Sequence, residues 1–158
     1  MSEIIEGGCA CGDVRYKLQI PPLFVHCCHC TWCQRETGSA FVLNGLIETR
    51  NIALDQGEPV VRDVPSASGN GQTRMECADC GVVLWSHYSS ARDKIAFLRV
   101  GTLDDPDLAP PDIHVFTATK QDWVLLPEGV PAVAEFYDYP DYWRPDALAR
   151  REAALRGD

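Results

Sequence analysis

Three thiols fall within six residues in Cys28-His29-Cys30-Thr31-Trp32-Cys33, and two pairs flank them, Cys9-Ala10-Cys11 near the start and Cys77-Ala78-Asp79-Cys80 at mid-chain. Two thiolates one or two residues apart can reach the same zinc ion at about 2.3 Å, because a tight turn after the first ligand points both sulfurs inward. Gly12 and Gly81 each follow a pair and supply the backbone freedom that such turns use. The assignment that uses each motif whole joins Cys9, Cys11, Cys77 and Cys80 into one closed site. Four thiolates saturate a tetrahedral zinc and leave no position for a substrate, so that site would be structural, a cross-link between parts distant in sequence. Cys28, Cys30 and Cys33 remain for a second zinc, with Cys27 to spare. Three protein ligands with the fourth position held by water or substrate is the pattern of a catalytic zinc. Alternatively Cys27, His29 or a distant histidine such as His26, His87 or His114 fills that position and closes a second structural site. Spacing alone leaves both readings open.

Other residues carry two readings each. His29 lies between two ligands, so its side chain is expected to point away from their metal and to serve around the site or in a turn. Cys27 reads as a small buried apolar residue, with a redox-sensitive thiol as the alternative. His114 either lines a pocket or is a hydrogen-bonded structural residue. Arg35 could hold a substrate carboxylate through its planar fork, or offset the negative charge of the cysteines. Trp32 and Trp85 read as wall or core. The aromatic run Phe136-Tyr137-Asp138-Tyr139-Pro140-Asp141-Tyr142-Trp143 has the character of an interface, with the core of its own chain or with a second copy in a homo-oligomer. Asp104, Asp105, Asp107 and Asp112 lack calcium-ligand spacing and read as solvated surface.

The elements that must position these groups are mostly short strands. Asp13 to Ile20 alternates apolar and polar until Pro21-Pro22 stops it, and Leu23-Phe24-Val25 leads directly into the central cysteines. Thr31 to Thr37 reads as a short helical turn with Gly38 as its stop. Ser39 to Leu46, Ile52 to Leu54, Pro59 to Val64, Gln72 to Glu76, Val82 to Trp85, Lys94 to Val100 and Ile113 to Phe116 read as further strands. The stretch 65–71 is a turn or mobile flap. Leu103 to Asp112, with three prolines and four aspartates, is a long surface loop. A C-terminal helix is expected over 144–157, with Pro145 at its first position, Leu148 and Leu155 on one stripe and Gly157 as its stop. The pattern predicts one mainly β, antiparallel domain over 1–158 with short helical turns.

The 158 residues, 46% of them hydrophobic, suffice for one domain with a real core. No apolar run approaches the roughly 20 residues of a membrane helix, and the first residues lack a signal-peptide pattern, so no membrane association and a cytoplasmic location are expected. In a reducing cytosol eight cysteines are metal ligands rather than disulfides. A formal net charge of -9 disfavours a nucleic-acid partner, since phosphate binding relies on Lys and Arg.

The order Cys-x-Cys, Cys-His-Cys-x-x-Cys and Cys-x-x-Cys-Gly, followed by Arg35, Thr37, Gly38 and Ser39 after the central motif, resembles the glutathione-dependent formaldehyde-activating enzyme family, which includes centromere protein V. Gly101-Thr102-Leu103-Asp104-Asp105, His114 and Trp123 are similar to the family's second half, so the resemblance covers about residues 5 to 126. It implies a β-tent fold and two zincs per chain: a structural one on Cys9, Cys11, Cys77 and Cys80, and a catalytic one on Cys28, Cys30 and Cys33. It also implies a carbon-sulfur lyase that condenses glutathione with formaldehyde to S-hydroxymethylglutathione. Because fold and metal site can transfer where substrate does not, a non-catalytic zinc-stabilised binding module with a closed or vestigial second site is the alternative.

Overall fold

The computed structural model describes residues 3–158, which form ten strands and two helices. In chain order these are β1 (Ile5–Gly8), β2 (Arg15–Leu18), β3 (Phe24–Cys28), α1 (Thr31–Thr37), β4 (Val42–Glu48), β5 (Ile52–Gln56), β6 (Val60–Val64), β7 (Gln72–Glu76), β8 (Val83–Tyr88), β9 (Ile95–Arg99), β10 (Ile113–Val115) and α2 (Pro145–Arg156). β1, β2 and β5 make a small sheet, and the rest make a seven-stranded sheet in the order β10-β3-β4-β9-β8-β7-β6. The mainly β, antiparallel expectation holds with one exception: β10 runs parallel to β3. The long loop 103–112 makes this pairing available, because a parallel neighbour needs a crossover that a tight hairpin cannot supply.

The middle of the large sheet is buried on both faces, which accounts for its apolar runs. Along β4, Val42 and Leu46 join one core cluster, while Leu43 and Ile47 pack into the other. β9 divides in the same way, with Ile95 on one side and Ala96 and Leu98 on the other. Side chains alternate across a strand, so neighbouring residues of β4 and β9 serve opposite layers. One layer is closed by the small sheet through Ile5, Tyr16 and Leu18, with Trp85 edge-on to Tyr16 at 6.2 Å. Trp85 is therefore core.

The other layer is closed by the C-terminal segment. Trp143 stacks on Phe24 at 5.3 Å and on Tyr139 at 4.7 Å, so the aromatic run covers the core of its own chain. Ala147 and Ala154 of α2 are buried there, with Leu148 and Leu155 at the margin. Arg150 locks the helix in place by donating from Nε (2.9 Å) and Nη2 (2.7 Å) to the buried carboxylate of Glu48 at the end of β4. Burial alone would raise the Glu48 pKa, but the Arg150 fork outweighs it and the carboxyl titrates below its ordinary range.

Two features differ from the sequence reading. β1 falls on residues with weak alternation and exists because Ile5 to Gly8 pair with Leu18 to Arg15. β3 continues past Val25 to Cys28, since β4 and β10 hydrogen-bond to it on its two sides. This extension places Cys27 and Cys28 on a strand rather than in a loop.

Candidate functional site

Cys9 and Cys77 occupy equivalent places in two hairpins. Cys9 opens the turn from β1 to β2, where Gly12 N donates to Cys9 O at 3.3 Å; Cys77 opens the turn from β7 to β8, where Gly81 N donates to Cys77 O at 3.0 Å. Gly12 and Gly81 both have left-handed backbones, with φ of 85° and 75°, conformations that glycine adopts without steric cost. The two turns bring Cys9, Cys11, Cys77 and Cys80 together, all four sulfurs lying within 4.8 Å of one another. A tetrahedral zinc with bonds of about 2.3 Å sets its sulfurs about 3.8 Å apart. Here Cys9 and Cys11 are 3.5 Å apart, and Cys11 and Cys77 are 3.7 Å apart. Protonated thiols would gain nothing from such crowding, and four thiolates would repel without a cation; the donor set fits a soft dication.

Cys28, Cys30 and Cys33 form the second group, again with sulfurs within 4.8 Å of one another. Cys28 ends β3, Cys30 caps α1 and Cys33 lies in the first turn of that helix, where its backbone N donates to Cys30 Sγ at 3.3 Å. Thiols of Cys28 and Cys33 beside Cys30 lower the Cys30 pKa, while those of Cys28 and Cys30 raise that of Cys33. One proton after another must leave for all three to ligate, which a bound cation would drive. Gln34 holds α1 against the sheet: its Nε2 donates to His29 O (2.8 Å) and to Thr119 O (2.9 Å). Gly38, at φ 68°, ends the helix as expected. Among the described residues no fourth His, Cys, Asp or Glu donor joins this trio.

Cys27 and His29 belong elsewhere. Strand alternation turns them away from Cys28 and Cys30. His29 Nε2 lies 3.5 Å from Cys27 Sγ and 2.9 Å from His114 Nδ1, the latter a hydrogen bond whose direction depends on the tautomer. All three are buried and could themselves hold a metal ion. Burial lowers the His29 pKa to about 4, with His114 and Lys120 adding to the shift, so the imidazole is neutral near pH 7. The expectation that His29 points away from the shared site is met. His114 is hydrogen-bonded structure within β10, and Cys27 is buried but touches an imidazole rather than only apolar groups.

The surroundings of the second trio contain residues that sequence spacing gave no reason to choose. Glu36, one turn after Cys33, faces Arg74 at 3.4 Å and Arg99 at 3.3 Å, and Arg99 Nη1 donates to Asn44 Oδ1 at 2.6 Å. Tyr88 lies close enough for their charges to act on it. Burial raises its hydroxyl pKa, Arg99 pulls it down, and Cys33, Glu36 and Cys28 push it further up. These partners are 38 to 63 residues from Glu36 in the chain, so no local pattern marks them. Trp32, 39% exposed, and Arg35 line a surface cleft of ≈ 330 Å³ beside α1.

The sequence profile of the glutathione-dependent formaldehyde-activating enzyme family matches residues 4–119, about three quarters of the chain, and takes in every cysteine of both groups. The chain belongs to this family. The match ends before Trp123. A relative from Halomonas elongata, provisionally named a glutathione-dependent formaldehyde-activating enzyme, is 25% identical over an alignment of 144 positions that covers 87% of this chain and 90% of the relative. A crystal structure of a Rhodobacter sphaeroides protein has the same fold, with a TM-score of 0.50 and 17% identity over 67% of this chain and 96% of that one. Cysteine groups able to hold a metal ion are thus set in the framework of this formaldehyde-activating family.

Proposed function

We propose that this family member is a zinc-dependent carbon-sulfur lyase-type enzyme that condenses glutathione with formaldehyde to S-hydroxymethylglutathione. The observation that carries the reading is the convergence of Cys28, Cys30 and Cys33 without a fourth His, Cys, Asp or Glu donor among the described residues. Three thiolates around a divalent zinc leave a formal charge of -1, and such an ion supplies modest Lewis acidity suited to keeping a soft thiol ionised. The chain's own contribution is placement. β3 and the cap of α1 fix three sulfurs on one side of the site, and the half-buried Cys30 leaves the other side approachable. In the reaction the substrate sulfur forms a bond to the carbonyl carbon while the C–O π pair moves to oxygen, which takes up the proton lost by the thiol. No electron is gained or lost overall. Holding the two reactants together accounts for most of the expected acceleration.

The set Cys9, Cys11, Cys77 and Cys80 is proposed as the structural zinc, giving two per chain in a cytoplasmic protein whose thiols stay reduced. Metal analysis of purified protein tests this together with cobalt substitution at the second site. Two metals per chain and a glutathione-dependent change in the cobalt spectrum are expected. An unresponsive spectrum would favour a zinc-stabilised binding module instead, and full turnover in Cys30→Ser with one metal lost would rule the mechanism out.

A further inference from the structure

The cleft beside α1 contains two unmet demands. Gln72 is 4% exposed, and its Oε1 has no hydrogen-bond partner. The orientation of its amide is not arbitrary, because Nε2 donates to Glu36 Oε2 at 3.2 Å and to Pro65 O at 3.4 Å. Both partners are acceptors only, so a flip would set oxygen against oxygen. The buried oxygen therefore awaits a donor that none of the described residues provides.

The second demand is for an anion. The carboxylates of Glu36 and Glu76 are already matched by Arg99, Arg74 and Arg62. Arg35, on the same cleft, makes no ion pair among the described residues, and Arg74 Nε is buried without a partner. Arg50, Arg92 and Arg151 also lack an ion pair among the described residues, but Arg35 is the one that lies on this cleft, with Trp32 beside it.

An acceptor that needs a donor and a cation that needs an anion, in one small cleft, describe a zwitterion. We propose that this cleft binds the amino-acid end of the thiol substrate, Arg35 and Arg74 Nε taking an α-carboxylate and Gln72 Oε1, backed by Glu36, taking the α-ammonium. The proposal rests on the reading of Cys28, Cys30 and Cys33 as the thiol site. Helical rise puts Glu36 only about 4.5 Å along the axis from Cys33, and an extended tripeptide spans about 10 Å. A γ-glutamyl thiol can therefore reach both places at once. A simple thiol such as 2-mercaptoethanol would use only the cysteines.

Calorimetric titration of the zinc-loaded protein with S-methylglutathione tests the cleft apart from the chemistry, since a thioether has no proton to lose. Binding is expected, weakened about tenfold or more by Arg35→Ala and by N-acetylation of the ligand, with Arg35→Lys intermediate. Arg35 is exposed, so the variant keeps its fold. No binding, or binding indifferent to both changes, would overturn the proposal. Arginine-sensitive binding in a protein that never turns over formaldehyde would keep the subsite and remove the proposed reaction.

Discussion

The two cysteine groups offer the same donor chemistry in opposite architecture. The four-cysteine group joins two hairpin turns, one from each sheet, and its four sulfurs lie within 4.8 Å of one another. The three-cysteine group sits where a strand passes into a helix, inside one local stretch, and its sulfurs stop one short. A closed set drawn from both sheets can cross-link the fold but offers nothing to a ligand. An open set drawn from one segment contributes little cross-linking and keeps a coordination position. The difference teaches that spacing within a motif names a ligand, while the number of motifs that meet decides what the site can do.

The sharpest way to break this comparison is to remove one ligand from each group. Cys77→Ser is expected to abolish cooperative folding, a loss comparable to the whole stability of a domain, about 5–15 kcal/mol. Circular dichroism melts with metal analysis would register it, and a variant that melts normally with one metal fewer would deny the first group its structural role. Cys30→Ser should do the reverse, with turnover falling at least about 100-fold, one metal lost and the melting transition retained.

If the open group depends on packing rather than metal for its shape, then α2 behind it matters. Arg150→Ala leaves Glu48 buried without its cation and should cost about 3 kcal/mol in denaturant titration, with metal content unchanged. Loss of metal in that variant would mean that the helix supports the site directly.

The smallest effect concerns acid. His87 donates to or accepts from Thr49 Oγ1 at 3.0 Å, and burial lowers its pKa while Asp93 partly opposes the shift. A histidine depressed in the folded state binds its proton more readily when unfolded, so its contribution is present above the ordinary value of about 6.5 and lost as pH falls below it. His87→Gln should therefore make the loss of stability below pH 6.5 shallower without abolishing it, since His26, His29 and His114 are depressed by burial as well, and the change should be the same in the parent and in Cys30→Ser. A shallower profile only in the parent would tie the acid response to the three-cysteine group instead.

Much of the fold was legible because local rules held. Thr31–Thr37 is helical up to the glycine that ends it, Gln72–Glu76 is a strand with the bounds expected, and Pro145 opens the last helix. β1 was not legible, since its pairing partner and not its own pattern makes it a strand. Cys27 and His29 illustrate the same limit. Spacing already turns His29 away from Cys28 and Cys30, and alternation would turn Cys27 away as well with the strand extended past Val25, but nothing local brings His114 to within 2.9 Å of His29.

By itself the sequence determined which cysteines are near neighbours, where turns allow two sulfurs to point inward, and that the strands would be short and antiparallel, which every pair of named strands but β3 with β10 obeys. These are consequences of spacing and backbone freedom over a few residues. Only the tertiary structure decided that Cys27 turns to the histidines and that Glu36, Arg74, Arg99 and Gln72 converge beside α1. Those contacts close loops of tens of residues, and their geometry follows from sheet order and burial, which no local stretch of the chain encodes.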